Sequence, residues 1–197
     1  MKITNNTMAI DFNAVTSDRV PFVLSRLQGS KILLSFYRNG ACTFSNYRLQ
    51  QLKKYRDEFI AANVNVVAVF ESMPKDIFPF SGRNEHPFYV LADPMGLLYD
   101  LYMVETSEEK VRDAIASGVM QRTIGEATKA GIVSVPQEGS NFFRLPADFL
   151  IDEDFIIRQL QYSNSIVDLL PTHEIIKWMQ HPHSFPLQQK QILEHSN

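Results

Sequence analysis

Ile32-Leu33-Leu34-Ser35-Phe36-Tyr37, followed by Arg38-Asn39-Gly40-Ala41-Cys42, is a buried-looking run that gives way to a polar turn, and a helical pattern starts directly after it. Cys42 is the only cysteine of the chain. A thiol at a strand-to-helix junction meets free backbone N–H groups and the positive end of the helix dipole, and both favour the thiolate over the thiol. The position therefore reads as chemistry rather than as inert packing.

Working outward, residues 31–37 and 64–71 are short runs rich in β-branched and aromatic residues and read as central strands. Between them Leu49, Leu52, Tyr55 and Phe59 recur at helical spacing among charged and amide residues, which predicts a one-sided helix of about 15–18 residues. Strand, helix and strand in that order imply parallel pairing. Pro87-Phe88-Tyr89-Val90-Leu91 reads as a further strand, stopped at Ala92-Asp93-Pro94. Thr106-Ser107-Glu108-Glu109 has the pattern of a capping box for a helix through Ala116. From Gly118 to Asn141 the glycines at 118, 125, 131 and 139 predict a short helix and a long excursion. Residues 147–151 and 155–161, flanking Asp152-Glu153-Asp154, read as an antiparallel hairpin, and Pro171 suits the first turn of a last helix. The expected organisation is one domain over 1–180, with an insertion at 104–141, and a polar tail over 181–197.

Composition narrows the function classes. A chain of 197 residues that is 45% hydrophobic buries a substantial core. The 19 Lys and Arg against 22 Asp and Glu give a formal charge of -3 without a dense basic block, so nucleic acid is not expected as a partner. Neither an apolar signal core at the start nor a run of roughly 20 apolar residues is present, which points away from membranes and to a cytoplasmic protein. The five histidines form no metal pattern, and no Gly-rich fingerprint announces a nucleotide. A single cysteine makes no internal disulfide, so a disulfide cycle borrows its second thiol from outside.

The order of elements, with Phe36-Tyr37-Arg38-Asn39-Gly40-Ala41-Cys42-Thr43-Phe44-Ser45-Asn46 at the turn, resembles the thioredoxin-like fold. More narrowly it is similar to the peroxiredoxin-like branch of the alkyl hydroperoxide reductase/thiol-specific antioxidant family, whose usual turn reads Phe-Tyr-Arg-Gly-Gly-Trp-Cys-Pro-x-Cys. Val69-Phe70-Glu71-Ser72, Val90-Leu91-Ala92-Asp93-Pro94 and Leu145-Pro146-Ala147-Asp148-Phe149-Leu150-Ile151-Asp152 agree with that branch. The resemblance implies an α/β fold with a mixed sheet flanked by helices, and it puts Cys42 in the place of the peroxide-attacking cysteine. Ser45 stands where the second cysteine of the two-cysteine turn would be. Ser35 and Asn39 stand where typical peroxiredoxins carry proline and the peroxide-contacting threonine. Pro146 matches the cis-proline that faces the turn in thioredoxins, in place of the peroxiredoxin arginine. Arg38 and Arg144 are the nearest substitutes for that charge.

The expected activity is that of a one-cysteine thiol-dependent peroxidase or a related thiol oxidoreductase: attack of Cys42 on a hydroperoxide to give a sulfenic acid, an antioxidant reaction, with reduction by a low-molecular-weight thiol or a thioredoxin-like protein. No cofactor is expected beyond that external thiol. Asn39, Arg38 and Arg144 are candidates to stabilise charge at the sulfur, while Thr43, Ser45 and Pro146 are candidates to contact substrate or thiol. Aromatic surface and the tail allow a homodimer. The alternative is a noncatalytic or redox-sensing thioredoxin-like module that binds a protein through the same groove.

Overall fold

Every residue of Lys31–Phe36 is buried, so this strand has no solvent face and its backbone must be paired on both sides. The computed structural model describes residues 2–82, 84–132 and 137–180 and supplies those partners in one sheet. In chain order the strands are β1 (Thr7–Met8), β2 (Asn13–Thr16), β3 (Pro21–Val23), β4 (Lys31–Phe36), β5 (Val64–Phe70), β6 (Phe88–Ala92), β7 (Ala147–Ile151) and β8 (Ile156–Tyr162). They lie in the order β1-β8-β7-β4-β5-β6-β2-β3. β4, β5 and β6 run parallel, as the strand-helix-strand pattern requires. β7 and β8 add the antiparallel hairpin against β4, with Leu34 opposite Phe149 and Ser35 opposite Asp148. The strands over residues 7–23 escaped the sequence reading because they are two to four residues long and largely exposed, too short for an alternation to register.

The helices are α1 (Thr43–Lys53), α2 (Arg56–Ala61), α3 (Pro74–Ser81), α4 (Leu97–Leu101), α5 (Glu108–Ala116), α6 (Met120–Lys129) and α7 (Thr172–Met179). The single helix expected after Cys42 is two. At Lys54 and Tyr55 the backbone N–H groups turn to acceptors three residues back, Gln51 and Leu52, which tightens the turn and ends α1 before α2 begins. Both pieces still send Leu49, Leu52 and Phe59 into one core. The cap of α5 also differs from the expected box. Ser107, not Thr106, accepts from the Lys110 backbone N–H at 3.3 Å, so Glu109 is one position too early to reach back. Likewise Pro171 is the cap of α7 rather than a residue of its first turn. The excursion after Gly118 opens with the ten residues of α6. The expected tail, 181–197, lies outside the described residues.

The central strands β4, β5 and β7 are buried on both faces. Leu33, Tyr37, Val66 and Val90 pack with side chains of α1, α2 and α7. On the other face Phe36, Tyr99, Tyr102 and Phe149 meet with ring centroids 5.1 to 5.9 Å apart. Among the described residues no helix is long and apolar enough to cross a membrane.

One carboxylate is placed inside this core. Asp148 is 1% exposed, and its two oxygens accept from the Ser35 hydroxyl at 2.6 Å and the Leu170 backbone N–H at 3.0 Å. Burial pushes its pKa above the ordinary 3.8, against the opposing pull of Arg48 and of those hydrogen bonds. A carboxyl group raised in the folded state contributes stability that is fully present below its unfolded value and is lost as pH rises through its folded value. Asp148→Asn is therefore expected to remove a decline in stability above pH 4. Urea midpoints for both proteins between pH 4 and 8 test this: the gap between variant and wild type should move in the variant's favour as pH rises, and a constant gap rejects it.

Candidate active site

Cys42 sits at the carboxyl end of β4 as the N-cap residue of α1, in extended conformation (φ -65°, ψ 117°). Its own N–H is bonded to the Asn39 carbonyl at 3.1 Å, which closes the polar turn. Asn46, one helical turn further on, donates its side-chain amide to the carbonyls of Gly40 at 2.7 Å and Cys42 at 3.0 Å. Ser81 of α3 donates in turn to the Asn46 side-chain oxygen at 2.8 Å. On the other side, the Ser72 hydroxyl accepts from the Gly40 N–H at 2.9 Å and donates to the Gln137 side chain at 3.0 Å. Gly40 is required by closeness: a Cβ there would lie 2.4 Å from the Asp76 carbonyl oxygen and 2.9 Å from the Ile77 Cα.

Cys42 is 7% exposed and lies on a cavity of about 470 Å³ whose wall includes Asn39, Thr43, Phe44, Met120 and Phe142. Arg38 shares that wall, and its Nη1 donates toward the Cys42 sulfur at 3.6 Å. Two contacts from residue 142 hold the guanidinium there. Nη2 is bonded to the Phe142 carbonyl, and the Phe142 ring lies 5.4 Å from the guanidinium carbon. Nε of Arg38 and the Thr43 hydroxyl are buried without a partner among the described residues. The arrangement puts a fixed cation beside the sulfur and leaves donors for a developing oxyanion.

Arg144, Ser45 and Pro146 fall elsewhere. Arg144 gives Nε and Nη2 to Glu71 at 2.9 and 2.8 Å, gives Nη1 to the Val104 carbonyl at 2.7 Å, and stacks on Tyr99 at 4.6 Å. Its donors are committed to Glu71 and the backbone rather than to Cys42. Ser45 accepts from the Arg38 backbone N–H at 3.1 Å and so ties the turn. Pro146 is buried at the start of the hairpin, where its carbonyl accepts from Ser163 N–H at 3.2 Å, and it is absent from the cavity wall. The peptide bond before Pro146 is trans; His86-Pro87 is the cis bond among the described residues. Asn39 lines the cavity with its side chain unbonded among the described residues.

Sequence reasoning gave no role to Asn46, Ser72 or Gln137; Phe142 reads from sequence as a core or pocket-wall aromatic, and it does line this cavity, but its hold on Arg38 was not foreseen. Only Asn46 carried a usable signal, since an Asn four residues after a helix cap is placed to bond back to the preceding turn. The described residues hold no group of three or more His, Cys, Asp or Glu suited to a metal.

Arg38→Met is expected to slow alkylation of Cys42 by neutral iodoacetamide about tenfold at pH 7. Arg144→Met should leave that rate within about twofold yet cost about 3 kcal/mol in urea unfolding, because it strands the largely buried Glu71. Equal effects of the two variants on alkylation would refute the assignment of the cation to Arg38.

The fold matches those of known thiol proteins. A peroxidoxin from Mycobacterium tuberculosis, BcpB, superposes with a TM-score of 0.64 at 14% identity, covering 91% of this chain and 98% of that one. The reduced 2-Cys peroxiredoxin of Plasmodium vivax gives 0.59 at 17% identity, covering 89% and 79%. A putative thiol:disulfide interchange protein, DsbE, from Chlorobium tepidum gives 0.58 at 18%, covering 90% and 96%. No curated protein matches the sequence. Residues 6–160, well over half of the chain, match the AhpC/TSA family, and with its thioredoxin-like sheet and the cysteine at the end of β4 the chain belongs to that family.

Proposed function

We propose that this protein is a one-cysteine, thiol-dependent peroxidase. The observation that carries the reading is the Arg38 guanidinium held 3.6 Å from a cysteine that opens onto a cavity. The Cys42 thiolate attacks the terminal oxygen of a hydroperoxide; the O–O bond breaks, one proton is taken up, and an alcohol or water leaves as Cys42 becomes a sulfenic acid. Arg38 steadies negative charge as it passes from sulfur to the leaving oxygen, while Asn39 and Thr43 bond the peroxide oxygens. A first external thiol displaces water to give a mixed disulfide with Cys42, and a second restores the thiol and releases a disulfide. Ser45 carries no sulfur, so neither step is internal. A cytoplasmic setting, where small thiols and thioredoxin-like proteins are kept reduced, suits this cycle.

The test is stopped-flow oxidation of the reduced protein by hydrogen peroxide and by an organic hydroperoxide, with mass spectrometry to place the product. Oxidation at Cys42 at least a hundredfold faster than that of a free thiol at the same pH, abolished in Cys42→Ser, is expected. A rate no greater than the free thiol's rejects the peroxidase and leaves the partner-binding redoxin as the account.

A further inference from the structure

A second cavity, of about 380 Å³, lies between α1 and α3 beside Gly131 and Ile132, and it shares no residue with the wall around Cys42. Its walls are of two kinds. Leu49, Pro79, Phe80 and Ile132 are apolar, and Phe80 stands 41% exposed there instead of entering the core. Opposite in character, Lys53 is half-buried and donates to the Ser81 backbone carbonyl at 3.0 Å. No described carboxylate forms an ion pair with it, so two of its three N–H donors have no protein acceptor among the described residues.

We propose that this cavity binds a small amphiphilic carboxylate, with its anionic head on Lys53 and its apolar body against Leu49, Pro79, Phe80 and Ile132, and that the occupant alters the reactivity of Cys42. A half-buried ammonium with no carboxylate in contact among the described residues is the costly element of the site: desolvation weakens its hold on the proton, and the more distant Glu85 only partly opposes this. An incoming carboxylate supplies a negative charge in direct contact. Among the described lining residues a single cation stands beside four apolar residues, which fits one carboxylate on a hydrocarbon body better than a phosphate, which takes several donors.

The connection to the active turn is short. Asn46 is itself a wall of this cavity, and its side chain is what holds the carbonyls of Gly40 and Cys42. Ser81 gives its carbonyl to Lys53 and its hydroxyl to Asn46. A ligand that draws Lys53 from the Ser81 carbonyl therefore acts on the bonds that set the Cys42 turn. α3 also packs against Gly40 with no room for a methyl group, so a shift of that helix reaches the turn directly.

The experiment is titration of the reduced, isotope-labelled full chain with octanoate, read by amide chemical shifts, with octanol as the uncharged control. Iodoacetamide alkylation of Cys42 is followed in parallel, so the outcome is independent of whether the protein reduces peroxides. Octanoate should shift the amides of residues 46–53, 80–81 and 131–132 and bind at least tenfold more tightly than octanol. Lys53→Gln and Lys53→Met, both at a half-exposed helix position, should each erase that preference. Cys42 alkylation should change at least twofold at saturation in the wild type. Shifts confined to other regions, or an unchanged affinity in both variants, overturn the site; saturation without a change in alkylation overturns its link to Cys42.

Discussion

The pairing of β4 on both edges is the constraint from which the rest follows. A strand with six buried residues exposes no backbone to water, so β5 must satisfy one edge in parallel and β7 the other in antiparallel register. Parallel pairing with β5 demands a crossover, and α1 with α2 is that crossover. The chain must then leave the sheet at the carboxyl end of β4, and the residues that make this exit are Arg38 to Cys42. The position of the cysteine is thus a consequence of the sheet's hydrogen-bond accounting.

What the sheet delivers, side chains then fix. A helix whose cap residue is cysteine has no strong acceptor for its first N–H groups, and that absence leaves electrostatic room for negative charge at the sulfur. The turn is consequently held from outside the cap position: by Asn46 within α1, by Ser72 after β5, and by contact of Gly40 with α3. Three separate elements converge on five residues. Mobility of the nucleophile is suppressed without using any group that would compete for its charge.

The central sheet and the place of Cys42 were legible because they rest on hydrophobic runs and on a change of period, which local sequence carries. Of the stretches 69–72, 90–94 and 145–152, recognised through family likeness, the first two pair side by side along β5 and β6, and residues flanking the others close on the first: Glu71 grips Arg144 just before 145–152, and a Cβ on Gly96, just after 90–94, would come within 3.2 Å of both side chains. That ion pair was not legible. From sequence, Arg38 and Arg144 were both candidates for the cation, Arg38 the nearer in the chain; which one reaches the sulfur depends on a carboxylate 73 positions away from Arg144 that claims it. The hold of Phe142 on Arg38 was equally hidden, since it pairs a backbone carbonyl, a group that every residue has, with a ring whose neighbour 104 positions away no local pattern announces.

The lone sulfur imposes an order on the proposed cycle. Cys42 is only 7% exposed, and access to it runs through the cavity beneath Phe142 and Met120. Peroxide and external thiol would therefore use the same space in succession, since no second thiol in the chain offers another route. The alcohol must leave before the thiol enters, and the mixed disulfide must then project its thiol-derived half into that same 470 Å³. A small thiol meets this requirement with the chain as it stands. A larger thiol would meet Phe142 on the wall, the residue whose carbonyl and ring hold Arg38, so the group that positions the cation also bounds the space in which the sulfur is reduced.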